Sequence, residues 1–81
     1  MRNALRRGAS HGELVSWIVL GDRQSWCCYL CALPLDRALR GTVRPDAPEI
    51  EHRVPVVRGG AHTYQNTALA HRRCNKLKGV A

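Results

Sequence analysis

Residues 49–79, EIEHRVPVVRGGAHTYQNTALAHRRCNKLKG, carry most of the information in this chain, read together with Cys28-Tyr29-Leu30-Cys31 upstream. Cys28-x2-Cys31 and His71-x2-Cys74 are two pairs of soft ligands with the spacing of a structural zinc site. The pairs stand 40 positions apart, so one shared ion would tie an early knuckle to the C-terminal segment. Cys27-x3-Cys31 is also a permitted spacing. The matched x2 pairs favour Cys28, which leaves Cys27 as a buried or free thiol. Between and beside the soft ligands lie Glu51-His52, Asn66 and Asn75. These are hard, polar groups of the kind that hold a divalent cation and supply a general base.

Composition explains why a staple is needed. The chain has 81 residues, no Phe, and only Trp17, Trp26, Tyr29 and Tyr64 as aromatics. That is near the size limit at which an apolar core suffices alone, and folds of this kind usually add disulfides or a metal. The first 21 residues show no secretory leader, since Gly12, Glu13 and Ser16 interrupt the apolar run. The run Trp17 to Leu20 is far too short to cross a membrane. A cytoplasmic, reducing location is therefore expected, which favours metal over disulfide. Thirteen Lys and Arg against six Asp and Glu give a net charge of +7, and a phosphate polyanion is the expected partner.

The pattern suggests one domain over residues 10–81, preceded by a basic arm at residues 1–9. A helix is expected from Ser10 to about Leu20, with Ser10 and Glu13 at capping-box spacing and Gly21-Asp22 as its end. Leu14, Trp17, Ile18 and Gly21 share one face of it and read as core. Residues 26–35 read as a metal knuckle closed by Pro34, and residues 36–48 as mostly loop. Glu49 to Val57 is a strand candidate, which Pro55 confines to an edge or shortens. Arg58-Gly59-Gly60 is a turn, Thr67 to Ala70 a short strand, and Arg72 to Lys78 a helix stopped by Gly79. His11 and His62 read as solvated, and Trp17 and Trp26 as core rather than base-stacking platforms.

The run E-H-R-V-P-x4-G-G-x5-N-x8-N-x2-K-G, with its CxxC and HxxC pairs, resembles the HNH endonucleases of the ββα-metal fold over roughly residues 13–79. The resemblance implies a small α+β fold: a ββα-metal finger with an N-terminal helix and a structural zinc site. It implies that His52 is the general base, and that Asn66 orients the His52 ring or constrains the loop around it. Glu51 and Asn75 would hold the catalytic divalent cation, Mg²⁺, Mn²⁺ or similar, in an H-N-N variant of the motif. Two positions depart from the family pattern: Glu51 replaces the usual Asp, and His71 replaces a usual Cys among the zinc ligands. Neighbouring strand residues point to opposite faces, so Glu51 and His52 should diverge unless the strand twists or ends there.

The activity so implied is metal-dependent hydrolysis of DNA phosphodiester bonds, by nicking or double-strand cutting. Arg58, Arg72, Arg73, Lys76 and Lys78 would contact DNA. One site cuts one strand, so double-strand cutting needs two visits or a homodimer. A small stand-alone form also resembles the phage or mobile-element type, working within a larger phage or host nucleic-acid machine. Two competing readings are a non-catalytic zinc-containing nucleic-acid-binding module and a zinc-stapled protein-interaction domain. Both account for the Cys/His pairs, but neither gives Glu51, His52, Asn66 and Asn75 a joint role.

Overall fold

A computed structural model describes residues 12–79. The elements run α1 (Trp17–Arg23), β1 (Pro48–His52), β2 (Thr67–His71) and α2 (Arg72–Lys78), with 3-10 turns at Arg37–Leu39, Val56–Arg58 and Tyr64–Asn66. β1 and β2 pair antiparallel, with Ile50 opposite Leu69 and His52 opposite Thr67. The fold is thus a small α+β unit in which a two-stranded sheet leads directly into a helix. The expected arm at residues 1–9 and the expected cap Ser10 lie outside the described residues. No helix among them is long and apolar enough to cross a membrane.

The first helix starts later than the capping-box pattern implied. Ser16 is the cap, with its hydroxyl accepting from the Val19 N–H at 3.4 Å. Glu13 serves another purpose: its carboxylate accepts from the Tyr64 N–H at 2.8 Å, while its own N–H donates to the His62 carbonyl at 2.8 Å. Leu14 therefore precedes the helix and is 99% exposed rather than core. Nor is Gly21 the stop. It is buried inside the helix, where a Cβ would come within 2.4 Å of the Trp26 ring. The chain reverses after Arg23 through Ser25 and Trp26, both at positive φ, and the indole N–H of Trp26 donates to Asp22 at 3.0 Å.

The core is small: Leu20, Cys28, Leu35, Leu69 and Ala70, with Trp17, Trp26, Tyr29 and Ile50 packed against it. Trp17 and Trp26 meet edge to face at 5.7 Å between centroids, and Arg37 and Arg40 lie over their faces. The edge of β2 away from β1 is satisfied by a side chain. The Gln24 amide donates to the Leu69 carbonyl at 2.9 Å and accepts from the Leu69 N–H at 2.6 Å. Tyr29 N–H donates to the same carbonyl. Buried backbone groups must find partners, and Leu69 finds them outside the ladder.

Candidate functional site

The knuckle between Trp26 and Leu35 forms because the chain doubles back: Cys28 N–H donates to the Leu33 carbonyl, and Leu35 N–H to the Trp26 carbonyl. This puts Cys28 and Cys31 against the junction of β2 and α2. His71 is the last residue of β2 and Cys74 lies one turn into α2. The ligand atoms of Cys28, Cys31, His71 and Cys74 all lie within 4.8 Å of one another. Cys31 Sγ is 3.3 Å and Cys74 Sγ 3.8 Å from His71 Nδ1. His71 Nε2 lies 2.8 Å from the Pro34 carbonyl. With Nε2–H donating there, the Nδ1 lone pair faces the thiols, an outer-shell bond of the kind that orients metal-bound histidines. Burial pushes the Cys28 thiol up, but the N–H groups of His71, Cys31 and Leu30 outweigh it and bring it down to about 6. Burial and the neighbouring Cys31 and Cys28 push Cys74 up to about 11. The soft Cys3His donor set fits a tetrahedral structural zinc ion. Cys27 lies outside this group and is half-buried.

A second centre lies at the end of β1. A cleft there is lined by Ile50, Glu51, His52, Pro55, Val56, Val57, Asn75 and Gly79. The alternation of β1 sends Glu49 and Glu51 to one face and His52 to the other. Glu51 and His52 still share the cleft because the strand ends at His52.

The Glu49/Glu51 face meets a stripe of α2 spaced by three residues. Arg72 bonds Glu49 at 2.9 Å, Asn75 Nδ2 donates to Glu49 at 3.2 Å, and Lys78 Nζ bonds Glu51 at 2.8 Å. Lys78 also donates to the carbonyls of His52 and Arg53. The other carboxylate oxygen of Glu51 accepts from the Tyr29 hydroxyl. Burial, then the adjacent Glu51, hold the Tyr29 phenol well above its ordinary range. Tyr29 sits inside the CxxC turn, so the zinc knuckle and Glu51 are in direct contact. Arg72 and Lys78, expected on DNA, are thus engaged with Glu49 and Glu51. Arg58, Arg73 and Lys76 are exposed.

His52 Nε2 lies 3.1 Å from His62 Nδ1, so His62 is engaged with His52 rather than solvated. Burial, then the His62 charge, lower the His52 pKa from its ordinary value, which keeps the ring neutral. Asn66 does not touch the ring. Its Oδ1 accepts from the Val54 N–H at 2.9 Å, and its Nδ2 donates to the Val54 and Ala61 carbonyls. It pins the loop after His52.

A family model described as HNH endonuclease matches residues 28–80. The chain belongs to the HNH family. That match covers the knuckle from Cys28 onward, the sheet, α2 and every residue of the cleft, and an HNH domain implies a nuclease or nucleic-acid-binding function. Comparison with curated proteins gives no match, and comparison with solved structures gives none. Three residues of the HNH site escaped the sequence reading. Glu49 had a signal, the i, i+2 alternation with Glu51. Tyr29 was hidden as a filler between two zinc ligands. His62 had no local signal, because a loop closure brings it to His52.

Proposed function

We propose that this HNH domain is a metal-dependent DNA endonuclease in which His52 is the general base. The observation that carries the reading is the cleft that brings His52, Glu51 and Asn75 together. Neutral His52 takes a proton from a water molecule, and the resulting hydroxide attacks the phosphorus. The P–O bond to the leaving sugar oxygen breaks, and that oxygen takes a proton from solvent. With its Nε2–H donating to His62 Nδ1, the His52 ring is held in place and Nδ1 is the nitrogen left to accept the proton from water, and Asn66 fixes the loop that lines the cleft.

The oxygens of Glu51 and Asn75 suit a hard cation such as Mg²⁺ or Mn²⁺. Glu51 already faces the positive charge of Lys78, and among the described residues no donor meets Asn75 Oδ1. When bound there, the cation would neutralise charge on the phosphate and leaving oxygen. Arg58, Arg73 and Lys76 supply phosphate contacts, whereas the charges of Arg72 and Lys78 are offset by Glu49 and Glu51. The Cys3His group holds zinc as the structural ion.

One observation favours the non-catalytic alternative, a nucleic-acid-binding module: both carboxylate oxygens of Glu51 already have protein partners. A plasmid-nicking assay on zinc-loaded protein with Mg²⁺, Mn²⁺ or Ni²⁺ decides between them. Nicking by the wild type that His52→Ala abolishes supports the nuclease. DNA binding without nicking under any of the three cations supports the module.

A further inference from the structure

Directly after His52 the chain reads Arg53-Val54-Pro55-Val56-Val57-Arg58. Val54, Val56 and Val57 are 48%, 61% and 78% exposed, and both flanking arginines are exposed. Single exposed valines need no explanation, whereas a contiguous apolar patch rimmed by polar groups marks an interaction site. This patch is also held stiff. Asn66 bonds both backbone groups of Val54, and the Pro55 carbonyl accepts from the N–H groups of Arg58 and Gly60. Gly60 passes so close beneath the loop that a Cβ on it would sit 1.7 Å from the Val54 carbonyl oxygen. A rigid, solvent-facing apolar tip loses little conformational entropy when it is buried in a partner.

We infer that this loop is an apolar wedge that enters the minor groove of duplex DNA and unstacks a base step beside the phosphate presented to His52. The inference rests on the nuclease reading for its partner and goes beyond it in saying how the duplex is held. Charge identifies the partner: Arg53 and Arg58 bracket the valines, and the chain carries +7 overall. Position identifies the place, since Pro55, Val56 and Val57 line the same cleft as His52. Apolar side chains wedged into DNA enter from the minor groove, where they part a base step and bend the duplex away from themselves. The Arg53 guanidinium is already stationed over the Tyr29 ring, 4.8 Å from its centroid. The wedge converts apolar burial into a widened groove, which brings the backbone to His52.

The test uses the zinc-loaded full chain, without added divalent cation, and a duplex carrying 2-aminopurine at a central TA step, a step that is easily unstacked. Wild type should raise the fluorescence on binding. Val57→Phe should raise it further. The double variant Val56→Ser/Val57→Ser should lose the signal and bind about tenfold more weakly, with an unchanged salt slope because phosphate contacts are untouched. Wild type bound with no fluorescence rise overturns the wedge, as does a double variant with wild-type signal and affinity, the result expected if the valines seat a protein partner. If circular dichroism shows that the serine pair disrupts the fold, Val57→Phe decides: a signal no larger than wild type counts against the wedge. Cleavage without unstacking removes the wedge and leaves the nuclease. Unstacking without cleavage under any metal does the reverse, and no binding to DNA removes both.

Discussion

The zinc group and the cleft are built from neighbouring stretches of the same chain, yet their ligands behave in opposite ways. At the zinc group four side chains converge on one point, and the surrounding backbone N–H and carbonyl groups orient them. At the cleft each candidate side chain already has a protein partner: Glu51 has Lys78 and Tyr29, His52 has His62, Asn75 has Glu49. The first arrangement suits an ion that stays. The second suits groups that exchange one partner for another, with Lys78 as the cation that holds Glu51 meanwhile. Tyr29 joins the two, so damage to the knuckle should reach the cleft, while damage to the cleft should spare the knuckle.

The sharpest way to break this contrast is to remove zinc. Zinc-driven folding in small domains amounts to about 10 kcal/mol or more, so Cys31→Ser, or chelation, should abolish cooperative unfolding and activity together. One zinc per chain by elemental analysis is expected; folded, active protein without zinc would dissolve the distinction. His52→Ala comes next, with nicking slowed ~10²–10⁴-fold, the usual cost of losing a general base, and melting temperature and DNA affinity nearly unchanged. Equal loss of fold would place His52 with the structural residues instead. Lys78→Met should leave the carboxylate of Glu51 without its counter-charge. A fully buried pair would lose 3–5 kcal/mol, but the Lys78 side chain is 25% exposed, so about 1–3 kcal/mol is expected in urea unfolding.

Subtler is the pH profile. The lowered pKa of His52 places the acid limb of activity below the ordinary value of ~6.5: as pH falls through the pKa, the ring gains a proton and stops accepting one from water. His62→Ala removes the neighbouring ring that, after burial, is the main cause lowering the His52 pKa. The limb should therefore move to higher pH; a limb that stays put would mean that His62 does not act on His52. Smallest is the salt dependence. Four free cations, Arg72, Arg73, Lys76 and Lys78, would give a slope of log K against log salt of roughly −3 to −4. With Arg72 and Lys78 held in ion pairs, and Arg58, Arg73 and Lys76 exposed, the expected slope is roughly −3, near the shallow end of that range. Arg73→Gln should reduce it by about 1, whereas Arg72→Gln should not.

Much of this was legible because short-range chemistry decided it. The zinc ligands sit in two x2 turns, the second strand follows a polar loop, and α2 runs from Arg72 to the Gly79 stop that its sequence announced. The first strand ended ahead of Pro55. What was not legible depended on contacts between distant segments. The Ser10–Glu13 spacing is a valid local signal, but Glu13 is taken up by Tyr64, 51 positions away, and the helix starts at the next available cap, Ser16. Gly21 read as a breaker because its reason for being glycine, the Trp26 ring, is a tertiary one. The same holds at the site. Charge alone assigned Lys78 and Arg72 to DNA, because the acidic partners that claim them lie on a strand more than twenty positions earlier.

The Gln24 amide has one more consequence. A two-stranded sheet has two open edges, and an open edge is a template on which any extended chain can pair. By making both bonds to Leu69, Gln24 fills the slot that a third strand would take, as a plug one residue long. The short sheet can thus stay unextended despite its fully buried β2. Replacing Gln24 with a side chain that cannot accept would leave the Leu69 N–H without a partner and open that edge to another strand.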